Sequence, residues 1–273
     1  MLNLDLKLDL ITSKTNTSIV KYAKLANKKY RFDTNLYLCE GIKLFEEALN
    51  FNANIECIIV ENDANLTLNC VKNLEECLKN DVKVLCVSHD VFQKVTTEIS
   101  PQGIITVCRF DNSKIRFLDN ELVNYSNEKV MLFESVRDPG NLGTILRNAV
   151  AFGYDRLILS SDCVDIYSPK VIRASMGAIF KLKIDIVSNV MQTIINLKNS
   201  GKRILSSVLN NNALVVGQVM LSNNDVIIIG NEGHGISSNL IEISDGTIFI
   251  PIESNTESLN ASVASTIFMW EQY

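Results

Sequence analysis

KVMLFESVRDPGNLGTILRNAVAFGYDRLILSS (129–161) is the stretch whose reading decides the architecture. KVMLFESV (129–136) opens as an apolar run, the pattern of a buried strand. Pro139, Gly140 and Gly143 then make a turn, after which Ile145, Leu146, Ala149 and Phe152 recur on one helical face. RLILSS (156–161) is a further strand. Outward from it, helices are expected over 142–152, 169–180, 189–200 and 259–272, and strands at LKIDIV (182–187), RILSSVL (203–209), DVIIIGNE (225–232) and TIFIPI (247–252). Continuous apolar strands alternating with helices imply α/β architecture with a mainly parallel sheet covered on both faces.

Upstream, a helix at 16–30 precedes strands NIECIIVEN (54–62), VKVLCVS (82–88) and GIITVCRF (103–110), with helices at 40–51 and 69–80 between them. The polar stretch that follows has little periodicity and reads as a linker over 111–128. The expected organisation is therefore a smaller α/β domain at 1–110, the linker, and a second α/β domain at 129–273. A length of 273 residues agrees with about two domains.

Composition narrows the class. The chain is 47% hydrophobic and 21% charged with a net charge of −5, and no apolar run reaches the roughly 18–20 residues of a spanning helix. Leu2, Leu4, Leu6, Leu8 and Leu10 alternate with polar residues, and Asp5 and Asp9 oppose a signal peptide. Cys39, Cys57, Cys70, Cys77, Cys86, Cys108 and Cys163 form no C-x-x-C pair, and His89 and His234 are the two histidines. No membrane segment, no disulfide and no metal are expected, and the cytoplasm is the expected compartment.

Three motifs follow strands, where open parallel sheets bind ligands. In the first, Asn141 sits at a helix entry and Arg147 projects from the helix. In the second, IIIGNEGHGIS (227–237), three glycines allow close backbone approach beside Asn231 and Glu232. Its order is not the dinucleotide fingerprint, and no phosphate-binding loop or nucleophile elbow occurs in the chain. In the third, IPIESNTESLNASVASTIFMWEQY (250–273), Pro251 ends a strand and Ser258, Leu259 and Asn260 head the last helix. Capping accounts for Ser258, Asn260 and Asn141 equally well at this level. Separately, residues 12–32 hold Lys14, Lys21, Lys24, Lys28, Lys29 and Arg31 with no acidic residue, and Tyr22 and Tyr30 are interleaved. That is either a solvated face or a footprint for an RNA backbone, with tyrosines for stacking.

Taken in order, N-L-G-x-x-x-R, G-N-E-G-x-G and I-P…S-L-N-x-S-V-A resemble the SpoU (TrmH-like) branch of the SPOUT RNA 2′-O-ribose methyltransferases. The first block is similar to that family's substrate-binding extension, related in fold to small ribosomal RNA-binding proteins, through Ser13, Asn16, Tyr30-Arg31, Cys39-Glu40-Gly41, Thr97 and Ser100-Pro101-Gln102-Gly103. The resemblance implies S-adenosylmethionine as cofactor and an RNA ribose 2′-hydroxyl as acceptor, with large-subunit ribosomal RNA favoured. It further implies a homodimer through the carboxyl-terminal domain and a trefoil knot that forms the cofactor pocket. It assigns cofactor contacts to Gly230, Ile250 and Leu259, with the turn after RILSSVL as a further wall, and polar catalytic positions to Asn141, Arg147, Glu232, Ser258 and Asn260. A transfer-RNA methyltransferase and a non-catalytic ribosome assembly factor are the alternatives. The family's usual proposal makes the arginine the base. A guanidinium with a pKa above about 12 is protonated, so Arg147 is expected instead to grip phosphate and stabilise the developing alkoxide.

Overall fold

The computed structural model describes residues 8–208, 212–231, 233–253 and 258–273. In chain order the elements are β1 (Leu10–Ile11), α1 (Thr17–Ala23), α2 (Lys28–Thr34), β2 (Leu36–Glu40), α3 (Ile42–Asn50), β3 (Ile55–Glu61), α4 (Leu68–Lys79), β4 (Val84–Val87), α5 (His89–Val95), β5 (Ile104–Arg109), β6 (Ile115–Leu118), β7 (Val130–Phe133), α6 (Pro139–Ala151), β8 (Arg156–Ser160) and α7 (Pro169–Ser175). They continue as β9 (Lys183–Val187), α8 (Val190–Asn199), β10 (Arg203–Ser207), β11 (Leu214–Val215), β12 (Asp225–Ile229), α9 (Ser238–Ile243), β13 (Gly246–Phe249) and α10 (Ala261–Glu271). No helix among the described residues is long and apolar enough to cross a membrane. The chain divides into two compact units, Met1–Asp111 with Asp165–Phe180, and Asn112–Val164 with Lys181–Tyr273.

The first unit is built on a mixed sheet in the order β1-β4-β3-β5-β2, in which β5 runs antiparallel to both of its neighbours. The helix expected over 16–30 is broken in two. Asn16 caps α1 through the N–H groups of Ser18 and Ile19, and Asn27 leaves helical geometry to cap α2 through Lys29 N–H at 2.9 Å. Gly41, with φ +101°, turns the chain into α3, and a Cβ there would lie 2.8 Å from the Gln102 Oε1 that accepts from Ile42 N–H.

Residues 165–180 pack with this unit, although sequence order puts them beyond residue 129. Asp165 pairs with Arg31 at 2.5 Å with both side chains buried, and Tyr167 stacks on Phe110 with ring centroids 3.7 Å apart. Gly177 lies so close to Glu47 that a Cβ would meet it at 2.6 Å. The unit thus recruits a segment that the sequence assigns to the second block, because its binding partners are far away in the chain.

The second unit holds an all-parallel sheet in the order β11-β13-β10-β12-β7-β8-β9-β6. Strands β7 and β12 are buried along their length, as their unbroken apolar runs require. Since all strands run one way, the ends of β7, β10, β12 and β13 emerge at one edge. The stretch read as a linker contributes β6 instead. Ile115 is buried, and Arg116 reaches across to Asp185 on β9 with two hydrogen bonds of 2.8 Å. Fully buried Asp185 also receives Arg156 at 2.8 Å and the Tyr125 hydroxyl at 3.2 Å. Arg156 turns its other donors to Glu128, which Lys183 meets at 2.9 Å. Burial alone would raise the Glu128 carboxyl, but the hydrogen bonds and charges of Arg156 and Lys183 outweigh it and hold it at about 2.

Candidate active site

The glycine turn after β12 is folded tightly upon itself. A Cβ on Gly230 would lie 2.3 Å from the Gly235 carbonyl carbon and 2.5 Å from Ile236 N, so backbone excludes any side chain there. Asn231 and Gly235 exchange hydrogen bonds of 3.0 and 2.9 Å across the turn, and Gly235 supplies its φ of +69°. The Asn231 amide works at both ends. Its Oδ1 accepts from the N–H groups of Gly233 (2.8 Å) and His234 (3.1 Å), and its Nδ2 donates to the Ser135 carbonyl at 2.8 Å.

Ser135, in the turn after β7, takes a left-handed φ of +58°. Its N–H donates to Ser160 Oγ at 2.8 Å and its hydroxyl donates to Asp162, which also accepts from Ser160 and Arg137. Burial pulls the Asp162 carboxyl up, but those hydrogen bonds prevail and hold it below the usual range. The two turns are thereby fastened to each other at the carboxyl edge of the sheet.

Beside them lies a cleft of about 180 Å³. Gly230, Ile250, Ser258 and Leu259 line it, as do Ser207 at the end of β10, Val208 just past it, and the small Ala261 and Ala264 of α10. Asn260 caps α10, accepting from the N–H groups of Ser262 (2.9 Å) and Val263 (3.3 Å). Its Nδ2 simultaneously donates to Asn141 Oδ1 at 2.9 Å. Capping and site-building, which the sequence left as alternatives for Asn260, coexist in one side chain. For Asn141 the capping reading fails, because Asp138 caps α6 by accepting from Asn141 N–H at 2.7 Å. Arg147 is exposed on α6, with no hydrogen bond or ion pair among the described residues. Glu232 lies outside the described residues.

Residues 128–270 match the model of the SpoU rRNA Methylase family. The chain belongs to that family. Residues 16–106 match an MRM3-like substrate binding domain. The 23S rRNA (guanosine(2553)-2′-O)-methyltransferase RlmP of Bacillus subtilis is 30% identical, over 95% of this chain and 97% of its own. The human mitochondrial rRNA methyltransferase 3 is 24% identical over 90% of this chain and 69% of its own length. An AdoMet-bound rRNA methyltransferase from Sinorhizobium meliloti superposes with a TM-score of 0.83 at 26% identity, covering 97% of both chains. A solved RNA 2′-O ribose methyltransferase gives 0.78 at 26% identity, over 96% of this chain and 97% of that one. The protein is thus a methyltransferase of the SpoU rRNA methylase family that acts on RNA with S-adenosylmethionine.

The cleft fits that cofactor in kind. Ile250, Leu259 and Val208 offer apolar walls to an adenine ring. Gly230 packs against the backbone of Gly235 and Ile236, which leaves no room for a side chain at that point of the cleft's lining. The sequence marked Asn231 only as a polar side chain beside the glycines, and did not single out Ser135 or Asp162 as supports of the site. An isolated asparagine after a glycine is the only signal, and the carbonyl it holds lies 96 residues away.

The basic run divides in the structure. Lys24, Lys28 and Lys29 are exposed, with Lys24 over the Tyr30 ring at 5.2 Å and Lys28 over Phe32 at 5.6 Å. Lys14 and Lys21 are exposed too, each paired with an acid, Asp90 at 3.6 Å and Glu56 at 3.4 Å. Two expectations are corrected. Arg31 is 3% exposed, spends its guanidinium on Asp165 and the carbonyls of Leu25 and Ala26, and presents nothing to a phosphate. Tyr22 is buried at 2% and its hydroxyl is pushed up by desolvation, so only Tyr30 is available for stacking.

Proposed function

We propose that this enzyme transfers the methyl group of S-adenosylmethionine to a ribose 2′-hydroxyl of large-subunit ribosomal RNA. The observation that carries the reading is the cleft at the sheet's carboxyl edge, walled by Gly230, Ile250 and Leu259, with Ser258 on its lining and the Asn260–Asn141 hydrogen bond at the heads of α10 and α6. The relative named for a 23S ribose and matched over nearly the full length of both chains supports the substrate class.

When bound, the sulfonium cofactor supplies an electrophilic methyl group. The chain's own residues hold the acceptor oxygen in line, and near-attack positioning supplies on the order of 7–11 kcal/mol of such a barrier. Ser258 and Asn260 hydrogen-bond near the reacting ribose, with Asn260 fixed by its cap and by Asn141. Arg147 keeps its proton, grips the phosphate beside the target ribose and stabilises the negative charge that develops on the acceptor oxygen, while the hydroxyl proton passes to solvent water. Asn141 and Glu232 orient the arginine or the substrate. Exposed Lys24, Lys28 and Lys29 give the first unit a grip on RNA phosphates, and Tyr30 a surface for an unpaired base.

Arg147 does not line the cleft of its own chain, and α10 exposes Val263, Trp270 and, just past its end, Tyr273. That apolar face supports a homodimer through this unit, with Arg147 serving the partner's cleft. The trefoil knot belongs to the same proposal, supported by the segments after β10, β12 and β13 meeting at one cavity. The cytoplasm, where ribosomal RNA is modified in bacteria, is the proposed location.

The test is incubation with methyl-labelled S-adenosylmethionine and large-subunit RNA from cells lacking the protein. Label in one alkali-resistant dinucleotide is expected, since a 2′-O-methyl group blocks cleavage of the adjoining bond. Label on a base, or none, would contradict the proposal.

A further inference from the structure

Asn141 and Arg147 stand on α6, and Asn260 caps the head of α10. The two helices meet at successive levels that run in the same order along both. Asn260 joins Asn141 at their heads. Two turns further along α6, Asn148 Nδ2 donates to Thr266 Oγ1 at 2.7 Å. At the end of α6, the Phe152 ring stands edge-on to Trp270 and Tyr273, with centroids 6.1 and 5.8 Å away. The mechanism above draws on the first of these contacts and gives no role to the second.

The chemistry of the second contact makes it directional. The Thr266 hydroxyl donates its one proton to the Ser262 carbonyl at 2.6 Å, so its oxygen meets Asn148 only as an acceptor. That fixes which end of the Asn148 amide faces α10. Elsewhere α6 is held by Leu142, Ile145, Leu146 and Ala149, all fully buried, and apolar attraction of that kind is non-directional. It keeps the helix on the core and sets its rotation only loosely. One hydrogen bond at the helix heads is a pivot. Two on one seam, about 10 Å apart along the axis, fix rotation and tilt together.

Rotation matters because Arg147 is the preceding residue, exposed and about 100° around the helix from Asn148. At the roughly 5–6 Å radius of a helix with its side chains, a turn of about 10° carries a side chain about 1 Å. A misplacement of about 1 Å in a group that must meet a transition state costs up to about 10²-fold in rate. We propose that Asn148 is a positioning residue for methyl transfer. With Thr266 it sets the rotation of α6 on α10, and so the direction from which Arg147 approaches the phosphate and the acceptor oxygen.

The inference rests on the role of Arg147 proposed above, and one set of variants separates the two. Single-turnover methylation of large-subunit RNA, cofactor affinity by calorimetry and Tm are measured for each. Asn148→Ala and Thr266→Val should each lower the rate per folded molecule about 10-fold, with cofactor affinity unchanged. Thr266→Ser keeps the hydroxyl and should keep the rate. In an Arg147→Ala background, Asn148→Ala should cost nothing more, because a residue that acts through the arginine has no effect once the arginine is gone. Full activity in Arg147→Ala would overturn the role of the arginine and this inference with it. A further 10-fold loss in the double variant would overturn this inference alone. So would rates in Asn148→Ala and Thr266→Val that match the wild type once the unfolded fraction is subtracted.

Discussion

Two flanks of the second unit use the same residue types in opposite ways. Along β6, β8 and β9, each charge has its counterpart. Asp185 is shared by Arg116, Arg156 and Tyr125, and Glu128 by Arg156 and Lys183. At the carboxyl edge of β7 and β12, Arg147 is exposed without a partner among the described residues, and Arg137 is paired yet keeps donors facing outward. A buried ion network consumes its own hydrogen-bonding capacity and holds the chain together. A site leaves capacity over for a substrate. The first unit repeats the contrast within one basic run, where Arg31 is consumed by Asp165 and Lys24 and Lys29 are left to solvent.

The largest expected effect lies at the open edge. Arg147→Ala should reduce single-turnover methylation by about 10²- to 10³-fold, as for removal of a preorganised charge-stabilising group. Calorimetry should find cofactor affinity unchanged, and Tm should not move. Loss of cofactor binding would move Arg147 into the structural class and break the contrast.

The saturated flank should answer in stability. Asp185→Asn leaves Arg116 and Arg156 around an uncharged amide and should cost about 3–5 kcal/mol, measured by denaturant unfolding. The remaining folded fraction should keep its rate per molecule. The same flank sets an acid limit. Glu128 titrates at about 2 in the folded protein against an ordinary 4.5, so the unfolded chain takes up the proton first. Its stabilisation is complete above pH 4.5 and is lost as pH falls toward 2. A Glu128→Gln variant should show a shallower loss of stability across that window.

Asn260 sits between the two classes and divides them. Asn260→Asp keeps an acceptor for the N–H groups of Ser262 and Val263 but loses the donor to Asn141. Stability should hold while the rate falls about tenfold. Asn260→Ala should lose both, at a further cost of about 1 kcal/mol for the cap.

The smallest effects lie in the first unit. Lys24→Ala and Lys29→Ala should each reduce the slope of log affinity for RNA against log salt by about 1, with stability unchanged. Arg31→Ala should lower Tm, because it strands Asp165. A salt slope that shifts equally for Arg31 and Lys24 would erase the distinction drawn within that run.

What was legible in the sequence follows the same division. Strands β7 and β12 are buried on both faces, so their side chains alone disclose them. Gly230 and Asn260 were legible because a close approach and a helix cap are local requirements. Strand β6 was not, since a four-residue edge strand with one buried isoleucine owes its place to Asp185, 69 residues away from Arg116. Arg31 read as a phosphate ligand because its partner, 134 residues on, is invisible to local pattern. The strut from Asn231 to Ser135 and the packing of residues 165–180 with the first unit depend likewise on contacts that only folding creates.

The most direct test of the central claim is a ribose-methylation map of total RNA from cells with the protein, without it, and with Arg147→Ala in its place. The account predicts one large-subunit ribosomal position, methylated only in the first. Methylation at that position in the Arg147→Ala cells, or maps that coincide in all three, would contradict it.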